Sequence, residues 1–578
     1  MSSPIQKVFP GALGNSWAEE MRRFAKENTV TRLWNQDSSL WPAKEHHIPM
    51  VKSNLRWLNL PEQIGPYVSK VTESARTVQE DGLDHVVFVA MGGSNLAGAA
   101  VLDLQEASAN KRMFLLDSTD TDAIRDVESK IPLAKTLFVF SNKSGKRIET
   151  HCLLLYFLDK LKGVGIESPG RHFIAFTERD SYLASLGEQY KFRDVFFDPP
   201  GISSRYCGLI HFSLFLTAVL GSGPEQLLNT IIAARDACRP EVPAEENPAV
   251  ALASFLAAGE RKGFNRLILL TEPELFYFAY RIAHLTGAST SSAGRGFIPI
   301  FAQQAYALET VKEKCLVVKL SLLKQGRAEV QEFTELRDAG VPMVEIELQQ
   351  PTDFAAEIFK WEVATALACV AMGLNPFDDG HRQGNFGIPS DQLENIANKR
   401  ESGLPSARVT EGSTRLYAEG RTRRMISNLS LREALRTFLE LRNRNSYIAI
   451  LPFFKLIPEY IAILQDLRDH MRYALEMPVQ VSSGPRCIYA LGRMYKDGPA
   501  NGIFLVVTAE PREDLVIPGA DYTFGELHLA LAMAEAEALE NSWKPTIRLH
   551  LAQGAEKGLK ELRDVVIQTL AQIHKNAG

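Results

Sequence analysis

Short apolar runs bounded by turn residues alternate with longer stretches of helical periodicity through most of this chain. Between about residues 63 and 225 the runs His85 to Ala90, Met113 to Leu116, Thr136 to Phe140 and His172 to Phe176 are each continuous, β-branched and aromatic. That pattern predicts strands of a parallel sheet covered by helices on both faces. A second series spans 226 to 400, with strands expected at Arg266 to Leu270, Cys315 to Leu320 and Met343 to Leu348. Its helix Ala355 to Leu374 is apolar on most faces and so belongs between layers. Residues 401 to 429 are polar, basic and Gly-punctuated, the pattern of a linker. From 430 to 578 a third α/β lobe is expected, opened by a capping box at Ser430 and Glu433. Its strands fall at Ser446 to Leu451, Val479 to Ser482, Ile503 to Thr508 and Thr546 to Leu551, with helices near Phe524 to Leu539 and Glu556 to Lys575. Residues 1 to 62 give a helical lead-in whose Trp34, Trp41 and Trp57 anchor it to the first lobe. The fold class is therefore α/β, with two doubly wound lobes and a third α/β lobe.

Composition narrows the partners. At 578 residues the chain is too long for one core. Its net charge of −5 and 45% hydrophobic content suit neither a nucleic-acid nor a membrane-surface binder. No run approaches the ~20 apolar residues of a membrane span. Six scattered cysteines without a CxxC pair point to reduced thiols and a cytoplasmic location, with no zinc site. His46-His47 has no further ligand at metal spacing, so no metal or other cofactor is expected. The run Asp117, Asp120, Asp122 lacks the glycine and terminal glutamate of a calcium loop and fits a strand end and turn instead. Arg421 to Arg424 suits a solvated basic patch.

Three loops carry candidate chemistry. Strand Phe88 to Ala90 runs into Gly92, Gly93 and Ser94. Strand Leu137 to Phe140 runs into Ser141, Asn142, Lys143, Ser144, Gly145, Lys146 and Arg147. The segment DPPGISSRYCGL carries Arg205. A strand, a Gly/Ser/Lys turn and a helix N-terminus together offer N–H groups, hydroxyls and the positive helix end to an anion, most naturally a phosphate. A tight packing turn would place glycines in the same way.

In order along the chain, AMGGSNLA, LLDSTDTDAI, FSNKSGKRIET, FDPPGISSRYCGL, GRGFIPI, KWEVATALACVAMGLNPFD, GPRCIYALGRMYKDGPANGIFLVVTA and IPGADYTFGEL resemble segments of the phosphoglucose isomerase family with its sugar isomerase (SIS) fold. The resemblance is greatest to the isomerase portion of bacterial transaldolase/phosphoglucose isomerase fusions. It implies binding of a hexose 6-phosphate, interconversion of aldose and ketose through an enediolate, and a homodimer or a regulatory enzyme partner. It places Ser94, Lys143 and Ser144 at the phosphate, and Glu149 and Arg205 in the active site, with Arg205 facing the enediolate. Lys146 and Arg147 stand where the family pattern has threonines, and either contact the phosphate or point to solvent.

The family's catalytic pattern departs here. Its proton-abstracting glutamate is matched by Ala288. Its lysine after NPFDQ is matched by Asn375 to Asp379 and a divergent continuation through His381 and Arg382. Its two histidines are matched by Tyr489 and Tyr495, and only Lys496 and Gly498 keep that motif. A positioned base contributes ~10²–10⁴ in rate, so these replacements imply weak or absent turnover. A relocated base is open to His284, one helical turn before Ala288, or to His381 in the loop. His284 fits a packing histidine equally, and His381 a surface one. The expectation is thus a sugar-phosphate-binding protein with a degenerate active site. An isomerase with a moved base and a ligand-free scaffold are the alternatives.

Overall fold

The continuous apolar runs become strands buried on both faces, because each lies in a sheet with helices above and below. The computed structural model describes residues 4–91, 96, 98–101, 112–145, 147–206, 211–221, 223–302, 314–323, 331–378, 406–426 and 429–577. Three sheets result. The first is fully parallel, in spatial order Met113–Leu116, His85–Ala90, Thr136–Ser141, Phe173–Thr177, Asp194–Phe197. The second runs Ile5–Phe9, Met343–Leu348, Cys315–Leu322, Arg266–Thr271, Ile298–Ala302, with only Ile5–Phe9 antiparallel. The third runs Val409–Glu411, Thr414–Tyr417, Thr546–Leu551, Gly502–Ala509, Tyr447–Phe453, Val479–Val481, parallel apart from the hairpin at its edge.

In each parallel set the earliest strand sits between the second and third, so strand order reverses beside it and a crevice opens at the carboxyl ends. The architecture is the expected α/β one. Helix Asp353–Met372 is buried along almost its whole length and stops at Gly373, whose φ of +64° closes the left-handed cap. It packs on helices Pro224–Ala237, Pro248–Arg261 and Phe276–Thr290. One continuous core joins the first two lobes to the inner face of the third sheet, and a second core fills the third lobe's outer face.

Two expectations need correction. The lead-in is not wholly helical and does not serve the first lobe alone. Ile5–Phe9 is a strand of the second sheet, and the indoles of Trp17 and Trp41 donate to Ala251 O and Ala366 O of second-lobe helices at 2.9 and 3.1 Å. For these two indoles the N–H meets its acceptor on a helical carbonyl. The stretch read as a linker forms, over its described residues, the hairpin Val409–Tyr417 and helix Gly420–Met425. The hairpin turns at Gly412, with φ +58°, and its Val409 and Leu416 are buried although its outward residues are polar. The capping box forms as expected, Ser430 and Glu433 satisfying each other's backbone N–H groups.

Candidate functional site

The loop after strand Thr136–Ser141 is held by its own backbone. Gly145 N donates to both Asn142 O and Asn142 Oδ1, at 3.0 and 3.1 Å. Asn142 N donates to Phe176 O at 3.1 Å, and Thr177 Oγ1 donates to Asn142 O at 2.7 Å. Asn142 therefore props the turn with an amide oxygen. Gly145 has φ +67°, and a Cβ there would stand 2.7 Å from Ser181 Cβ and 2.9 Å from Tyr182 N, so only glycine fits. Ser144 lies in the same turn. Helix Ile148–Gly163 follows, with no side chain capping its first turn, so its first N–H groups and dipole are directed at the loop. Lys143 crosses to the neighbouring loop, donating to Ile202 O and lying 3.8 Å from Glu178 Oε1. It ties this turn to the segment that carries Arg205.

Arg147, at the cap position of that helix, lays its guanidinium over the Tyr489 ring, 3.6 Å from the centroid. Beneath it the Tyr489 hydroxyl donates to Glu149 Oε1, joining first and third lobes. Both residues are buried. Burial, with the Glu149 charge next to it, holds the Tyr489 hydroxyl well above the usual phenol range, so it remains a donor.

Arg205, buried in the short turn Ser204–Tyr206, donates to Ala288 O at 3.3 Å and Asp378 O at 3.2 Å. His284 lies one turn before Ala288, with Nδ1 3.1 Å from Arg281 Nη1. A guanidinium can only donate, so Nδ1 accepts and the ring proton is assigned to Nε2. Arg281 also donates to Arg205 O and pairs with Glu362 Oε1 at 2.8 Å. Burial first, then the charges of Arg281, Arg205 and Arg147, press the His284 pKa well below the imidazole range. The cluster is thus cationic and buried, suited to an anion. His284 Nδ1 and the Tyr489 hydroxyl, beside this cluster, are each already committed to a neighbour.

The structure brings Ser141, Arg147, Glu149, Arg205, His284, Ala288 and Tyr489 to this junction of three lobes. It does not bring Lys496, whose ammonium lies 2.6 and 2.8 Å from the two Glu535 oxygens inside the third lobe. Tyr495 is a core residue that accepts from Gln480 Nε2 at 2.9 Å. Gly93, Ser94, Lys146 and His381 lie outside the described residues. Sequence reasoning missed Arg281 with Glu362, and Arg486, which donates to Asp117 Oδ2 and to the Tyr277 hydroxyl, both at 2.7 Å. Charges set in the apolar stretches FYFAYRIAHL and KWEVATAL were the available signal, because such charges need buried partners. Of the acidic run, Asp117 serves Arg486 and Asp120 caps helix Thr121–Lys130 through Ala123 N.

Met91, Asp117, Tyr277, Arg486 and Tyr489 line a cavity of about 10 Å³ at this crevice, room for about one water. Among the described residues no three His, Cys, Asp or Glu side chains gather as a metal site, and no helix is long and apolar enough to cross a membrane. The described cysteines are buried. Burial pushes the thiols of Cys152, Cys238 and Cys369 up to about 12.

No family model matches the chain. A glucose-6-phosphate isomerase of Campylobacter jejuni is 28% identical over 139 residues, 24% of this chain and 34% of that protein. One of Treponema pallidum is 32% identical over 162 residues, 25% and 30% of the two chains. One of Streptococcus equi subsp. zooepidemicus is 23% identical over 414 residues, covering 63% of this chain and 92% of the relative. The chain thus spans about a third of the Campylobacter and Treponema relatives and nearly all of the streptococcal one. The structure of a hypothetical protein from Thermus thermophilus superposes with TM-score 0.56 at 18% identity, covering 69% of this chain and 100% of that one, which shows a shared fold. The chain is thus similar in sequence to glucose-6-phosphate isomerases, and its doubly wound lobes give it an α/β fold shared with the Thermus protein.

Proposed function

We propose that the chain binds a hexose 6-phosphate or a similar anionic sugar in the crevice between the Asn142–Arg147 turn and the Arg205 cluster, with little or no isomerase turnover. The phosphate would meet the backbone of the turn, the start of helix Ile148–Gly163 and the Arg147 charge. One observation carries the reading. Arg205 reaches the Ala288 carbonyl, where the family resemblance calls for a glutamate, while the nearby His284 Nδ1 and Tyr489 hydroxyl are engaged by Arg281 and Glu149. Enolisation needs a base over the sugar carbon, and an alanine methyl offers none.

Proton NMR of fructose 6-phosphate in heavy water tests the chemistry, and ligand-induced thermal stabilisation tests the binding. The expected result is a saturable rise in melting temperature with no deuterium entering the carbons beside the carbonyl. Deuterium incorporation above a protein-free control would establish a working base and overturn the non-catalytic reading. Absence of any saturable shift with glucose or fructose 6-phosphate would overturn the binding reading.

A further inference from the structure

A second cavity, of about 810 Å³, lies between the second and third lobes at the amino edges of their sheets, the ends opposite the strand termini that bear the crevice. Three cations line it, from both lobes. Arg266 opens strand Arg266–Thr271, Lys314 immediately precedes strand Cys315–Leu322, and Arg444 lies just before strand Tyr447–Phe453. No carboxylate stands among the described lining residues, although the whole chain has 69 acidic against 64 basic side chains. Cationic side chains lining one concave surface raise its local positive potential, which favours an anion there.

The remaining polar groups add shape. Arg266 Nη2 lies 3.5 Å from the Arg444 backbone carbonyl, so the two lobes touch at the cavity wall. A Cβ on Gly263 would come within 3.3 Å of Lys314 Nζ, which places the ammonium against the lining. Asn501 Nδ2 donates to Asn445 O at 2.6 Å, while its buried Oδ1 receives no hydrogen bond. That oxygen can accept from a ligand hydroxyl or amino group. The volume falls within the ~300–1,000 Å³ of small-molecule sites.

We infer that this cavity is a second anion site for a small organic phosphate that also bears a hydroxyl or amino donor, and that its occupancy clamps the second lobe to the third. These lobes also supply helices Phe276–Thr290 and Gly484–Ala490 to the crevice, so a ligand here is placed to couple to it. The binding inference does not rest on the function proposed above.

Inorganic pyrophosphate is the minimal probe, followed by thermal stabilisation and phosphorus NMR line broadening. The native chain is expected to bind it saturably, and more weakly as salt rises from about 0.05 to 0.5 M, as screening requires. Lys314→Gln should weaken binding about tenfold, and Arg266→Gln/Lys314→Gln/Arg444→Gln at least about a hundredfold. The melting temperature of the unliganded triple variant reports its folding, and the exposed single change at Lys314 keeps the test available if the triple variant folds poorly. Lys143→Gln/Arg147→Gln, which alters the crevice, should retain the component of pyrophosphate binding that Lys314→Gln weakens. No saturable response in the native chain would overturn the site. So would a response that survives both Lys314→Gln and the triple change, or one lost only in the crevice variant.

Discussion

The two walls of the crevice are built differently. The Asn142–Gly145 turn is shaped by backbone hydrogen bonds, by the Asn142 amide oxygen and by one glycine that tolerates no side chain, so an outward side chain such as Ser144 can change without altering the cradle. The opposite wall, from Arg205 through Arg281 to Glu362, is a web of charged side chains in which each group holds the next. Binding assembled from backbone survives side-chain replacement, whereas proton transfer depends on a particular group at a particular atom. That contrast explains why anion recognition and chemistry can separate in one crevice.

The side-chain wall should break hardest. Arg281→Met leaves Glu362 without its guanidinium and frees the acceptors on Arg205 O and His284, and removing one member of a buried pair costs about 3–5 kcal/mol. Urea unfolding should show that loss, and Arg281→Met/Glu362→Leu should recover much of it, because two apolar groups need no partner. If the double variant were as unstable as the single one, the web would owe its strength to the other contacts of Arg281. On the backbone wall, Gly145→Ala forces a side chain into a left-handed conformation and against Ser181 and the Tyr182 backbone. It should cost about 2–3 kcal/mol and abolish stabilisation by hexose phosphates. Retention of that stabilisation would move the phosphate away from this turn.

Much of this contrast lies beyond what sequence can convey. Strands buried on both faces, such as Thr136–Ser141 and Tyr447–Phe453, announce themselves as continuous apolar runs. Each strand that escaped notice lies at a sheet edge or in the edge hairpin. Ile5–Phe9 pairs with residues more than 330 positions away, Asp194–Phe197 is only four residues long, Ile298–Ala302 contains Pro299, and Val409–Tyr417 is polar on its open face. Edges are short and half solvated, so local pattern weakens there. The turn at Gly145 was legible. The Tyr489–Glu149 bond spans 340 positions and was not. Tyr489→Phe sharpens that point, since it strips a donor from a buried carboxylate whose other oxygen already has no hydrogen bond. A loss of about 1–3 kcal/mol is expected on unfolding, with Arg147 still able to stack on the ring. An unchanged stability would mean that the carboxyl of Glu149 is protonated or finds another partner.

The smallest effect concerns His284 and appears only as pH falls. In the unfolded chain its imidazole titrates near the ordinary ~6.5, whereas in the fold burial and three arginines press the pKa well below that. Below about 6.5 the unfolded state therefore binds a proton that the native state refuses. The stability linked to this residue is complete above that pH and declines as pH drops toward the lowered value, by at most about 1.4 kcal/mol per pH unit. His151 and His528 are shifted in the same direction, so the native chain should lose stability in acid through several histidines at once. His284→Asn keeps an oxygen that accepts from Arg281 and removes one of these titrations. Its unfolding free energy should differ little from native at pH 8, and by about pH 5.5 the native chain should have fallen below the variant, by at most about 1.4 kcal/mol. Curves that stay parallel from pH 8 to 5.5 would mean that the folded protein accepts a proton on His284 as readily as water does. The imidazole would then be available for proton transfer, and the case against a relocated base at this position would fail.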